Sequence, residues 1–179
     1  MLRVWVCIGL ARLATKCLIE FQRFLKEMVN YSVYLGALGW SHAQWHGDFY
    51  PDNLPGDWQL AFYNTQFRCV FLPYSYWREV ADAEISCWLQ ETREEFRFVL
   101  ELPPEPDEKT MYMVERFGER GVLERQIDIE WLEGEPDLRG LAKRVQMAAS
   151  GSPPLFLISR DASLAQLRQV GELMEVLGV

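Results

Sequence analysis

Apolar residues recur along this chain at two spacings, and the points where the spacing changes divide it into elements. Between residues 9 and 29, Leu10, Leu13, Cys17, Phe21, Phe24 and Met28 fall on one helical stripe while Arg12, Lys16, Arg23 and Lys26 face elsewhere, so the pattern predicts an amphipathic helix. From Ser32 the period shortens. Val33, Leu35 and their neighbours predict an apolar strand that ends at Gly39-Trp40. Pro55 and Asp57 ahead of Trp58, Ala61, Phe62 and Phe67 predict a helix entered through proline and aspartate. Residues 69–72 read as a buried strand, 84–91 as a helix with Ile85, Trp88 and Leu89 inward, and 97–102 as a third strand stopped by Pro103-Pro104.

The second half continues in the same way. A helix is expected over 108–119, and residues 125–132 alternate Ile127, Ile129 and Trp131 against Gln126, Asp128 and Glu130, as a half-exposed strand should. Asp137 is placed to cap a helix running to Met147. Residues 154–159 make a last apolar strand, and 163–177 a closing amphipathic helix with Leu164, Leu167, Val170, Leu173 and Leu177 inward. About five strands alternate with helices, which favours an α/β fold with mainly parallel strands and helical crossovers.

Length and charge sharpen this picture. A chain of 179 residues, 49% of them hydrophobic, has the size of one domain with a substantial core. Residues 1–30 carry a net charge of +3 and the remainder −11, which separates an N-terminal helical extension, 1–30, from the domain, 31–179. A basic amphipathic helix suits a membrane surface, but docking of its stripe on protein is the commoner use. The overall charge of −8 weighs against nucleic acid as a partner, since phosphate needs a basic face. Cys7, Cys17, Cys69 and Cys87 form no CxxC pair and no finger-like spacing with histidine, so neither a zinc framework nor a disulfide scaffold is indicated. A reducing cytoplasm is the expected setting. No apolar run reaches the ~18 residues of a membrane span.

One stretch stands out for its aromatic density. YLGALGWSHAQWHGDFYPDNLPGDW leads through AFYNTQFRCVF to LPYSYWR, closing at Arg78. It resembles the opening of the YecE-like family, domain of unknown function seventy-two, whose members begin with a strand, Gly-Trp, a Trp-x-Gly-x-Phe-Tyr-Pro loop and a second strand ending in Phe-Tyr-Arg. LFLISRD followed by SLAQLRQVGELMEVLG is similar to the family's final strand and helix. The resemblance implies a (β/α) barrel of the eight-stranded TIM type, which typically needs about 250 residues. A shorter chain implies a partial or open barrel that keeps the beginning and end and lacks central βα units. Family members also start only a few residues before their first strand, so Met28 is a natural start and residues 1–27 an upstream extension.

In such folds ligands meet the loops after the C-terminal strand ends. Those loops offer Trp40, His42 and Trp45 after the first strand, Tyr76 and Arg78 after the second, Glu101 after the third and Asp161 after the last. Aromatic rings with an arginine fork can hold a planar or phosphorylated ligand, although the same rings serve equally as core. His42 and His46 are four apart with Asp48 nearby, a spacing that puts two imidazoles on one face of a helix and suits a metal site there; this segment reads as a loop, where surface or hydrogen-bonded histidines are the plainer reading. Ser41, Ser75 and Ser159 lie in no Gly-x-Ser-x-Gly, and Gly36 with Gly39 falls one glycine short of a dinucleotide loop. No cofactor and no metal are indicated, and no catalytic residue can be named.

The departures from the family decide the functional expectation. Where the resemblance implies Val-Glu-x-Asn along the second strand, this chain has Val70, Phe71, Leu72 and Pro73; a lysine at the end of the third strand corresponds to Glu101, and a late Asn-Asn to Ser159-Arg160. The groups that would act as acid, base or phosphate clamp are largely gone, leaving mainly the aromatic frame with Arg78 and Asp161. The expectation is therefore a non-catalytic, soluble domain that binds a small ligand or a protein, with open strand edges that could pair two copies. The alternative is a metal-assisted phosphoester or nucleic-acid hydrolase, by fold likeness to the TIM-barrel endonucleases.

Overall fold

The computed structural model describes residues 32–151 and 153–179; the helix expected in residues 1–30 lies outside them. Six strands form one sheet: β1 Val33–Leu38, β2 Cys69–Leu72, β3 Arg97–Leu100, β4 Gly121–Leu123, β5 Asp128–Leu132 and β6 Leu155–Ser159. Every neighbouring pair is parallel and the order is β4-β3-β2-β1-β6-β5. Six strands replace the five expected. β4 escapes a periodicity reading because it is three residues long, begins with glycine and lies between two 3-10 turns. Among the described residues five longer helices connect and cover the sheet, α1 Gln59–Gln66, α2 Asp82–Glu91, α3 Glu108–Phe117, α4 Leu138–Ala149 and α5 Leu164–Leu177, beside one short helical turn, Tyr74–Trp77.

The four central strands, β1, β2, β3 and β6, are almost wholly buried, whereas the edge strands β4 and β5 are mostly half-buried. Val33, Leu35 and Ala37 of β1, Val70 and Leu72 of β2 and Leu155 and Leu157 of β6 face the helices and meet a core that includes Leu60, Tyr63, Ile85, Trp88, Val145 and Val170. The alternate positions face the concave side, where register places Tyr34 beside Phe156, Phe71 beside Val99 and Ile158 beside Trp131. Tyr34 and Phe156 stack with ring centroids 4.7 Å apart.

The chain itself forces this sheet to curl. Leu123 and Asp128 sit on opposite edges, yet five residue steps reach at most about 18 Å, whereas the outer strands of a flat six-stranded sheet lie about 24 Å apart. Residues 124–127 therefore bridge the ends of a half-barrel, and only the 3-10 turn Glu124–Gln126 accompanies this crossing. Among the described residues the sheet has six strands, two fewer than the eight of a TIM barrel.

Local signals set most helix starts. Asp107 accepts a hydrogen bond from Thr110 N (2.8 Å), Asp137 from Gly140 N (3.1 Å) and Ser163 from Gln166 N (3.4 Å). Of the apolar positions that predict α1, Phe67 is buried, Ala61 and Phe62 are half-buried and Trp58 is neither. Trp58 ends the 3-10 turn Gly56–Trp58 and is 65% exposed, while Leu60, Tyr63 and Phe67 are buried. The tighter turn shifts the helical phase, so Trp58 does not share the buried face of the helix that follows. Gly36 also has a specific reason. A Cβ there would run into the backbone of Cys69 and lie 2.9 Å from its sulfur, so β1 and β2 need glycine to close.

Candidate functional site

The loops after the strand ends hold the residues picked out by sequence, and they divide into separate groups. After β1 the chain forms a 3-10 turn, Ala43–Trp45. Trp45 is fully buried, lies parallel to Tyr63 with centroids 5.9 Å apart, and donates its indole N–H to Ala162 O (2.7 Å). Ala162 has φ +50°, a left-handed conformation that costs a non-glycine residue energy unless neighbours hold it. Trp45 thus ties the first loop to the last. Tyr50 donates its hydroxyl to Trp40 O, and burial pushes the Tyr50 pKa up. These rings act as the frame of the mouth.

Trp40 joins a second group. It is buried and meets Tyr76 edge-on at 5.7 Å and Trp88 at 5.0 Å, while Tyr76 lies roughly parallel to Trp88 at 6.2 Å and remains half exposed. Glu101 is held beside the helical turn Tyr74–Trp77. Its carboxylate accepts from Tyr74 N (2.7 Å) and its carbonyl from the Trp77 indole (3.2 Å). An acidic side chain at the start of a turn satisfies an otherwise unpaired N–H. Arg78 and Asp161 are exposed, and Arg78 pairs with its neighbour Glu79 at 3.7 Å.

His42 is the polar group best set to receive something. It packs against Trp45 at 4.4 Å, and its Nε2 is buried without a hydrogen-bond partner among the described residues. Burial lowers its pKa against backbone contacts from Gly39 and Leu38, so the ring is neutral at pH 7. His46 is exposed and contacts Gln59 through Nε2 (3.3 Å). Among the described residues no three His, Cys, Asp or Glu side chains are grouped to hold a metal ion. Ser159 is buried, donates to Gln166 Oε1 (2.6 Å) and accepts from Ser163 N (3.2 Å), which commits its hydroxyl to the start of α5.

The centre of the half-barrel holds residues that sequence reasoning did not bring together. Phe71 of β2 meets Trp131 of β5 at 4.8 Å and 69°. Over Trp131 lies the Arg160 guanidinium, 4.3 Å from the ring centroid, with its Nε 2.6 Å from Glu133. Alternation marked Trp131 as inward, but nothing in the sequence paired it with a residue sixty positions earlier.

These features agree with what the chain is similar to. The family described as "Protein of unknown function DUF72", the YecE-like family, matches residues 34–176. A crystal structure of a DUF72 family protein from Thermotoga maritima superposes with a TM-score of 0.54 at 13% identity, covering 82% of this chain and 99% of that one. No curated protein matches. With nearly its whole described length matched, from the strand that opens the half-barrel to the helix that closes it, the chain belongs to the DUF72 family.

Proposed function

We propose that this chain is a non-catalytic binding or interaction domain, in which the barrel interior has been given over to packing. The supporting observation is the contact between Phe71 and Trp131 at 4.8 Å. Phe71 stands where the resemblance implies a glutamate, so two apolar rings fill the place of a carboxylate, with Arg160 and Glu133 paired to each other above them. Glu101, where the resemblance implies a lysine, is engaged in holding a turn. A group already committed to structure is poorly placed to move protons. What remains for a small ligand is the rim, where Tyr76, Arg78 and Asp161 are exposed and His42 Nε2 is buried without a hydrogen-bond partner among the described residues, with Trp40, Trp45 and Glu101 as the frame that holds them.

The family domain corresponds to residues 31–179, with 1–30 as an extension, a division supported by a family match that begins at residue 34. A reducing, cytoplasmic setting is supported by the free thiols of Cys69 and Cys87. Among the described residues no helix is long and apolar enough to cross a membrane.

The test is turnover. Purified protein incubated with phosphomonoesters, phosphodiesters, nucleic acid and aryl glycosides is expected to release no product above buffer. Reproducible activity abolished by Arg78→Ala or Asp161→Ala overturns the reading, as does stoichiometric zinc or manganese in elemental analysis that is lost in His42→Ala.

A further inference from the structure

The open side of the half-barrel presents a second surface, defined by which way β5 turns its main chain. Arg160 N–H donates to Leu132 O (3.1 Å), so Leu132, and by alternation Glu130 and Asp128, point their backbone groups at β6. Ile129 and Trp131 therefore point theirs the other way, where no described strand lies. That edge is bare among the described residues. Its side chains alternate too: Ile129 and Trp131 turn to the concave side, Asp128 and Glu130 to the helix side. Arg144 of α4 clasps both acids, with Nη2 2.8 and 2.9 Å from the Asp128 oxygens and Nη1 on Glu130.

Alongside this edge runs a groove of about 460 Å³ whose lining includes Glu130, Glu133, Glu135, Asp137, Lys143 and Arg144. With Asp128 beside them these make five carboxylates against three cations, Lys143, Arg144 and the Arg160 paired with Glu133, and Arg144 is already shared between two acids. An incoming chain meets free backbone donors and acceptors beside a surplus of negative charge. Bound main-chain ladders give affinity in such contacts, and alternate side chains give selectivity.

We propose that the β5 edge accepts an added strand from another protein, an extended segment that alternates lysine or arginine with apolar residues. Its apolar positions continue the face of Ile129 and Trp131, and its basic positions lie beside Asp128 and Glu130. A second copy of this chain fits less well. The two-fold antiparallel register that uses both Ile129 and Trp131 sets Glu130 directly opposite its counterpart, and like charges so placed destabilise a pair. The proposal is independent of the reading of the barrel mouth, because catalysis at the mouth would leave this edge unchanged.

The experiment titrates the full chain into fluorescein-labelled ten-residue peptides and follows anisotropy. An alternating Lys-Val peptide is expected to bind, and a Glu-Val peptide at least about tenfold more weakly. N-methylation of the alternate peptide groups that face the edge is expected to weaken binding about tenfold, and N-methylation in the other register by less than about twofold. Ile129→Pro removes one edge N–H without touching the ladder to β6 and should weaken binding comparably; circular dichroism checks its fold, and the N-methylated peptides decide if it does not fold. The proposal is overturned by absence of Lys-Val binding, by equal binding of the Glu-Val or either N-methylated peptide, or by a concentration-dependent dimer in sedimentation that Ile129→Pro abolishes.

Discussion

Phe71 and Trp131 touch edge to face, 4.8 Å between ring centroids, although β1 and β6 lie between their strands in the sheet. Three strand spacings amount to about 14 Å in a flat sheet, so this contact exists only because the sheet is curled. Phe71 is 4% exposed. Its truncation to alanine should lower unfolding free energy by about 3–5 kcal/mol, the usual cost of emptying such a site. Phe71→Glu should cost more at pH 7 than at pH 5, because a carboxylate against Trp131 is unpaired when charged and tolerable when protonated. Urea unfolding at the two pH values measures both; a Phe71→Glu protein as stable as wild type at pH 7 would show that the interior is wet.

Tyr63 splices a side chain into the β1–β2 pairing. Its hydroxyl accepts from Ala37 N (2.8 Å) and donates to Cys69 O (2.8 Å), all fully buried. Tyr63→Phe keeps the ring and strands a backbone donor and an acceptor. We expect a loss of about 1–3 kcal/mol, with faster amide exchange at Ala37. Unchanged exchange there would mean that the strands close directly on each other.

His42 makes stability depend on pH. Burial lowers its pKa in the folded state, so between that value and the unfolded value of about 6.5 the unfolded chain binds the extra proton. Stability is therefore full above pH 6.5 and falls as the pH drops through that range. Chemical unfolding of wild type and His42→Gln over pH 4.5–8 should give curves that converge in shape above pH 7 and separate below 6.5, wild type falling more steeply; parallel curves would remove His42 as the cause.

Arg120 closes the end of α2. Its guanidinium donates to Leu89 O, to Thr92 O (2.9 Å) and Oγ1 (3.1 Å), and to Arg93 O (2.8 Å), which also accepts from Phe96 N; these acceptors gather at the negative end of the helix, where the last carbonyls lack intrahelical partners. Arg120→Ala should cost about 1–3 kcal/mol. Arg120→Lys should recover only part of this, since an ammonium cannot fork between several carbonyls. Midpoints in guanidinium chloride order the three proteins.

Much of this architecture could be read from the chain. Alternation found β5, continuous apolar runs found β1, β2, β3 and β6, and Asp137 marked the start of α4 by its side chain. What failed did so for local reasons: β4 is too short to show a period, and the 3-10 turn ahead of α1 moved Trp58 outward. The rim residues were legible individually, because strand ends announce them. Their grouping was not. Trp40 meets Trp88 and Trp45 reaches Ala162 through contacts 48 and 117 residues apart, and a single sequence carries spacing along the chain but no distance across it.

The placement of β1 between β2 and β6 has a consequence for how the protein is made. Emerging from the ribosome, the first described strand finds one neighbour early and must wait for nearly the whole chain before the other is synthesised, some 120 residues later in register. High contact order of this kind slows folding and prolongs exposure of a sticky intermediate. Until β6 pairs with it, β1 has one side of its backbone unladdered, an edge on which a half-made chain can pair wrongly.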